Sequence, residues 1–158
     1  MIPDGNSAHQ SAVAHTKTAL RNALSRNTDC VKWLESGAGL NQSGFDQVWS
    51  KITVGPYTFV GGQPTAVTGS PLSPGDNIAI NAGGLFFGGS GLVAIGVNGI
   101  YANTDSGREF ILLHEMAHVY GASGFNQNDG GSNNTKAQTD NNNLIMKNCG
   151  SIFSAGTA

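Results

Sequence analysis

The stretch from Arg108 to Tyr120 constrains this chain more than any other. Phe110, Ile111, Leu112, Leu113, Met116, Ala117, Val119 and Tyr120 leave almost no polar face, and a helix that is apolar all round has to be buried. Ser106 with Glu109 reads as a capping box at its start, and Gly121 as its stop. Inside this helix stand His114, Glu115 and His118. Burying ionisable groups there without a partner is costly. The two histidines are four positions apart, so they lie one above the other on one helical face and both imidazoles can reach one ion. Glu115, one step round the helix, is set to take a proton from water at the ion's open position. The pentapeptide His114-Glu-Met-Ala-His118 is an HExxH motif. Its natural occupant is Zn2+, which lowers the pKa of bound water to about 7.

Such a site needs a third protein ligand, and the chain offers few. The extended form HExxHxxGxxH begins correctly with Gly121, but its third-ligand position is Gly124, which has no side chain. No Glu follows Glu115 and no His follows His118, which leaves Asp129, Asp140 and Cys149 downstream. Asp129 is preferred, because Asn128-Asp129-Gly130-Gly131 is a polar turn that can fold back on the helix. Asp140 has an alternative role as a helix N-cap. Cys149, His9, His15 and Glu35 stay open as further alternatives.

The rest of the chain reads as α+β. Val13, Leu20, Leu24, Val31 and Leu34 recur at helical spacing between Ser7 and Glu35, with a break at Asn27-Thr28-Asp29 where Thr28 or Asp29 caps a second helix that Gly37 ends. Phe45, Val48, Trp49 and Ile52 mark another short helix. Tyr57–Val60, Asn77–Asn81 and Leu92–Val97 read as strands between Gly- and Pro-rich turns. Gly124 to Asp140 reads as loop, and Asn141 to Asn148 as a short last helix, with Asn141-Asn142-Asn143 as a loop-to-helix junction. The expected architecture is N-terminal helices, a small twisted, mostly antiparallel sheet, a buried central helix and a short C-terminal helix, over residues 1–158 as one domain. Cys30 and Cys149 are either one long-range disulfide or two separate thiols. His9 and His15 read as solvent-exposed.

Composition excludes some partners. Eight Lys plus Arg, charged residues at 11% and a net charge of -2 cannot make a phosphate-tracking surface, so no nucleic acid is expected. No apolar run approaches the roughly 18 residues that a membrane span needs. The chain contains 23 glycines and much Asn, Ser and Thr, a composition that suits an exported protein. Met1–Ser7 carries no basic or apolar leader, and reads as the start of a domain excised from a longer chain.

Ile111–His118 resembles the active-site helix of the zincin metallopeptidases. The wider pattern is similar to small bacterial domains attached to larger exported or repeat-containing proteins. It comprises Asn77–Asn81, Phe86-Phe87, the HExxH, Asp129–Gly131 and Asn141 eight residues before Cys149, with a weaker echo at Asp29-Cys30. The resemblance implies a secreted or extracytoplasmic zinc metallopeptidase with a zincin-like fold, acting on a protein or peptide. His114, His118 and Asp129 would be its ligands and Glu115 its general base. It implies a substrate laid along an edge strand near Leu92–Val97, with Tyr120, Tyr101 or Asn141 steadying the oxyanion. The competing readings are a catalytically silent metal-binding adaptor and a zinc amidase acting on non-peptide substrates.

Overall fold

The computed structural model describes residues 2–37, 44–59, 64–68, 77–130 and 134–156. Val60 and Gly131 therefore lie outside the described residues. Helix α1 spans Ser7–Ser25 and α2 spans Thr28–Glu35. The break between them falls where the sequence predicts, but its cap is Asn27 instead of Thr28 or Asp29. The Asn27 side chain accepts from the Cys30 amide at 3.0 Å, a role asparagine fills as well as aspartate. Helix α3 covers Phe45–Lys51 and buries Phe45 and Val48.

Four short strands follow from both ends of the α-helical segment: β1 (Ile2–Pro3), β2 (Val54–Thr58), β3 (Ala66–Thr68) and β4 (Ile78–Asn81). They form one sheet in the order β1-β2-β4-β3. β1 pairs with β2 and β3 with β4 antiparallel, while β2 and β4 run parallel with Val54 opposite Ile78. The sheet is therefore mixed.

Two expectations fail here. Leu92–Val97 is not a strand: it makes a single antiparallel bridge, Leu92 to Tyr101. Its burial does not alternate, since Val93 and Val97 are buried while Leu92 and Ile95 are 43% and 47% exposed. Gly96 and Gly99, at φ of 77° and 82°, turn the chain within and just after the run, which strand pairing does not allow. The edge place goes instead to β3, too short to carry a periodic signal.

Helix α4 (Asp105–Tyr120) crosses the centre. It begins two residues earlier than the capping box implies, because the N-cap is Thr104, not Ser106, and its side chain accepts from the Gly107 amide at 3.0 Å. It ends at Gly121 in the left-handed region as expected. Phe110, Leu112, Leu113 and Met116 are fully buried against Leu20, Leu24, Ile78, Ile80 and Ile145. The last helix, α5, is long, not short: it runs Thr135–Gly156 over 22 residues. Asp140 therefore sits inside a helix and caps nothing. The poor helix formers Asn141, Asn142 and Asn143 are carried through because tertiary contacts override propensity.

Around α4, the helix α1 packs on β2 and α4, β3 and α5 flank α4, and α2 packs on α5. Gly37, beyond α2, lies so close to the end of α4 that an added Cβ would fall 1.5 Å from the Gly121 carbonyl oxygen. Trp33 fastens the same corner, its indole N–H donating to the Ser123 carbonyl at 3.0 Å. Cys30 and Cys149, both fully buried, form a disulfide that ties α2 to α5 across 119 residues of sequence. Closing so long a loop removes much of the unfolded chain's entropy. Reduction, or Cys30→Ser, is expected to lower the unfolding free energy by about 3–5 kcal/mol, read as a shift of the urea midpoint with and without dithiothreitol.

Candidate metal centre

α4 presents His114 and His118 on one face, as their spacing requires. Asp129 comes to them from the loop after α4. Its carboxylate bridges both rings: Oδ2 lies 2.8 Å from His114 Nε2 and Oδ1 lies 3.1 Å from His118 Nε2. Asp129 is only 8% exposed. Of the candidate third ligands, this one alone reaches the histidines among the described residues. Asp140 is on the solvent side of α5, paired with Lys136 at 2.6 Å. Cys149 is consumed in the disulfide. Glu35 accepts from the Phe45 amide at 2.8 Å, and His15 is exposed on α1. His9 is not free in solvent as expected: it pairs with Asp4 and stacks on Phe87 at 4.0 Å.

Ring orientation shows what the centre can hold. Asn142 Nδ2 donates to the Ile95 carbonyl at 2.9 Å, so it is Oδ1 that meets His114 Nδ1, at 3.2 Å. Gln127 Oε1 meets His118 Nδ1 at 3.1 Å. With both Nδ1–H groups donated to amide oxygens, each neutral ring turns its Nε2 lone pair toward the carboxylate. Lone pairs and a carboxylate repel one another, so a cation belongs between them: a proton on a ring, or a metal ion shared by all three. Two imidazoles and one carboxylate, with outer hydrogen bonds orienting the rings, are a ligand set that suits zinc with a position left open.

Glu115 also lies within reach, since ligand atoms of His114, Glu115 and His118 fall within 4.8 Å of one another. Two observations set it apart from His114, His118 and Asp129. Its Oε2 is 3.9 Å from His114 Nε2, well beyond the Asp129 contacts. Its Oε1 accepts from Thr68 Oγ1 at 2.7 Å, which ties it to β3. Buried at 7% exposure, Glu115 stands beside the three donors with a second oxygen uncommitted to Thr68.

Several side chains of the centre escaped the sequence reading. Phe125 wedges its ring against both imidazoles, at 5.2 Å from His114 and 4.8 Å from His118. The only available signal was a lone aromatic in a polar loop. Gln138 donates to the Asp129 carbonyl at 2.8 Å, and Asn141, read from the sequence as a junction residue or oxyanion candidate, instead donates to Asp129 Oδ2 at 2.8 Å. The proposed oxyanion groups do not serve. Tyr120 stacks on Phe45 and donates to its carbonyl at 2.9 Å, on a buried side of α4. Tyr101 is half exposed at the Leu92 bridge and does not line the cleft. Asn141 has both amide protons committed, to Asp129 and to the Asn126 carbonyl.

The centre opens into a cleft of about 760 Å³. Val67, Leu85, Val93, Ile95, Ile111 and Val119 line it, and among the described residues its ionisable lining residues are His114, Glu115, His118 and Asp129. Comparison with protein-family models, curated proteins and solved structures finds no match for this chain.

Charge within the cluster is already coupled. Burial acts to raise the Asp129 pKa, but its contacts with His114 and His118 and the hydrogen bond from Asn141 outweigh it and hold the carboxyl far below the ordinary value. Burial acts to lower the His118 pKa, and the Asp129 hydrogen bond and the Glu115 charge outweigh it, leaving the ring above 6.5. In the metal-free chain this histidine therefore adds stability that is complete below pH 6.5 and is lost as pH rises through its raised pKa. A metal needs the bare ring, so its binding strengthens over that interval. The increase in melting temperature on adding zinc is expected to grow as pH rises from 6.5, as differential scanning fluorimetry would record.

Proposed function

We propose that this chain is a zinc-dependent metallopeptidase of the zincin type, with His114, His118 and Asp129 holding the metal and Glu115 as general base. The observation that carries the reading is the pair of Nε2 atoms converging on one carboxylate, 2.8 and 3.1 Å away, with a second, separately held carboxylate beside them. A purely structural zinc has no use for that second acid, which argues against a silent adaptor. Bound there, zinc supplies a Lewis acid that acidifies water and polarises a carbonyl.

The chain's own residues supply the rest. Glu115 receives the proton of the attacking water on the oxygen that Thr68 leaves uncommitted, and returns it to the amine that departs as the peptide bond breaks. The substrate's path follows from register. Asn81 N–H donates to the Thr65 carbonyl at 2.8 Å, so the narrow pairs of β3 and β4 fall at Thr65/Asn81 and Val67/Ala79. The backbone groups of Ala66 and Thr68 consequently point away from β4. Among the described residues no strand pairs with that edge, and an extended peptide fits it by strand addition. This moves the substrate edge from Leu92–Val97 to β3. Among the described residues the rest of the cleft lining is uncharged, apolar side chains mixed with Thr65, Thr68, Asn77, Gln127, Gln138 and Asn142, and it favours peptide segments without charged side chains. The buried disulfide favours an extracytoplasmic setting.

Zinc content and casein hydrolysis, measured together, test the reading. Wild type is expected to hold about one zinc per chain, lost in His118→Ala and Asp129→Ala and kept in Asp140→Ala. Glu115→Gln is expected to keep zinc and lose about 10²–10⁴-fold in rate. Zinc without hydrolysis of any peptide would turn the reading toward the adaptor.

A further inference from the structure

The run Asn141-Asn142-Asn143 stands in the interior of α5, where asparagine is a poor choice for helix stability. Asn141 is 0% exposed and Asn142 3%, while Asn143 faces solvent. Buried amides need every donor and acceptor met. Asn141 meets its own by clamping the loop: Oδ1 accepts from the Asn126 amide at 2.7 Å, and Nδ2 donates to the Asn126 carbonyl and to Asp129 Oδ2, both at 2.8 Å. Asn142 faces the other way round the centre. Its Oδ1 takes the His114 Nδ1 proton at 3.2 Å, and its Nδ2 holds the Ile95 carbonyl in the cleft wall at 2.9 Å. The acceptors at Asn126, Asp129 and Ile95 have no protons to give, so neither amide can be turned over without losing these bonds.

We propose that Asn141 and Asn142 are positioning residues for the metal ligands, one for Asp129 and one for His114, and that Asn142 also joins the His114 ring to the cleft wall at Ile95. The inference rests on the zinc reading above. Its physical content is that consecutive residues of one rigid helix, about 100° apart round its axis, hold two ligands that come from different elements. Asp129 sits on a loop, which alone would not keep a carboxylate on two rings. The Nδ1–H of His114, turned away from Asp129, sets ring orientation only when its acceptor is fixed in place. The 22-residue helix supplies both constraints, and its disulfide to α2 anchors it at Cys149, on the other side of the pair from the loop. Because Asn142 spans ligand and wall, removing it loosens both.

The test is zinc affinity by competition with a chromogenic chelator, in the full chain, with folding checked by circular dichroism. Asn143→Ala is the internal control for the change in helix propensity, and it is expected to bind as wild type does. Asn141→Ala and Asn142→Ala are expected to weaken binding by about tenfold to a hundredfold. Asn142→Asp keeps an acceptor for His114 and loses the donor to Ile95. It is expected to restore zinc affinity to the Asn143→Ala level while amide exchange over residues 91–97 quickens as it does in Asn142→Ala. Folded Asn141→Ala and Asn142→Ala that bind as tightly as the control would overturn the proposal and leave the zinc reading standing. So would an Asn142→Asp that binds as weakly as Asn142→Ala. If Asn141→Ala does not fold, the Asn142 pair decides alone. A wild type that takes up no zinc would overturn the zinc reading, and this inference with it.

Discussion

A carboxylate held between two imidazoles, on a helix otherwise buried in apolar side chains, is the constraint the rest of this structure answers to. α4 has β3 on one side and α5 on another, with α1 beneath it. His114, Glu115 and His118 cannot turn to bulk water without dragging Phe110, Leu113 or Met116 out of the core. They have to be satisfied where they are. Asp129 does this for the histidines, and Thr68 does it for Glu115. Each of these partners comes from a different part of the chain, so the centre exists only when the sheet edge, the central helix and the following loop are all in place.

The scaffold around the centre is built largely from neutral polar groups, which fits a chain with charged residues at 11%. Gln127, Gln138, Asn141 and Asn142 surround His114, His118 and Asp129 with amides, where carboxylates could have stood. An amide oxygen accepts the Nδ1–H of a histidine without adding negative charge. Among the described residues the acidic charge at the centre thus stays confined to Asp129 and Glu115. Phe125 supplies the apolar part of the same enclosure, edge-on to both rings and in contact with Trp33 at 6.1 Å. Through Trp33 and the disulfide, α2 braces both the loop that carries Asp129 and the helix that carries the asparagines.

What could be read without coordinates was what depends on neighbours in sequence. His114, Glu115 and His118 share a face because a helix places residues four apart together, and that holds for any α4 wherever it packs. Gly121 stops the helix for a reason equally local, its left-handed backbone. Asp129 is singled out by elimination, because so few ligating side chains follow His118, and the structure brings it to both imidazoles. Reading failed where local signals were weak or were overruled. Leu92–Val97 has strand composition but is turned by left-handed glycines, and β3 is three residues long, too short for periodicity to register. α5 ran through a cluster of asparagines that propensity reads as a boundary, because two of them are bonded on the inside of the fold.

From the sequence alone follow a buried central helix, a pair of imidazoles on one of its faces and an acid beside them. These rest on helical geometry and on the cost of burying charge, and both act over a few residues. Only the tertiary structure decided that Asp129 and not Asp140 meets the imidazoles, that Cys30 and Cys149 are joined, and that β3 lies at an edge of the sheet. It also decided that Asn141 and Asn142 face the centre while Asn143 faces water. Those outcomes depend on which distant segments come within hydrogen-bonding range, a distance of about 3 Å. Packing of whole elements sets that distance, and no local pattern along the chain encodes it.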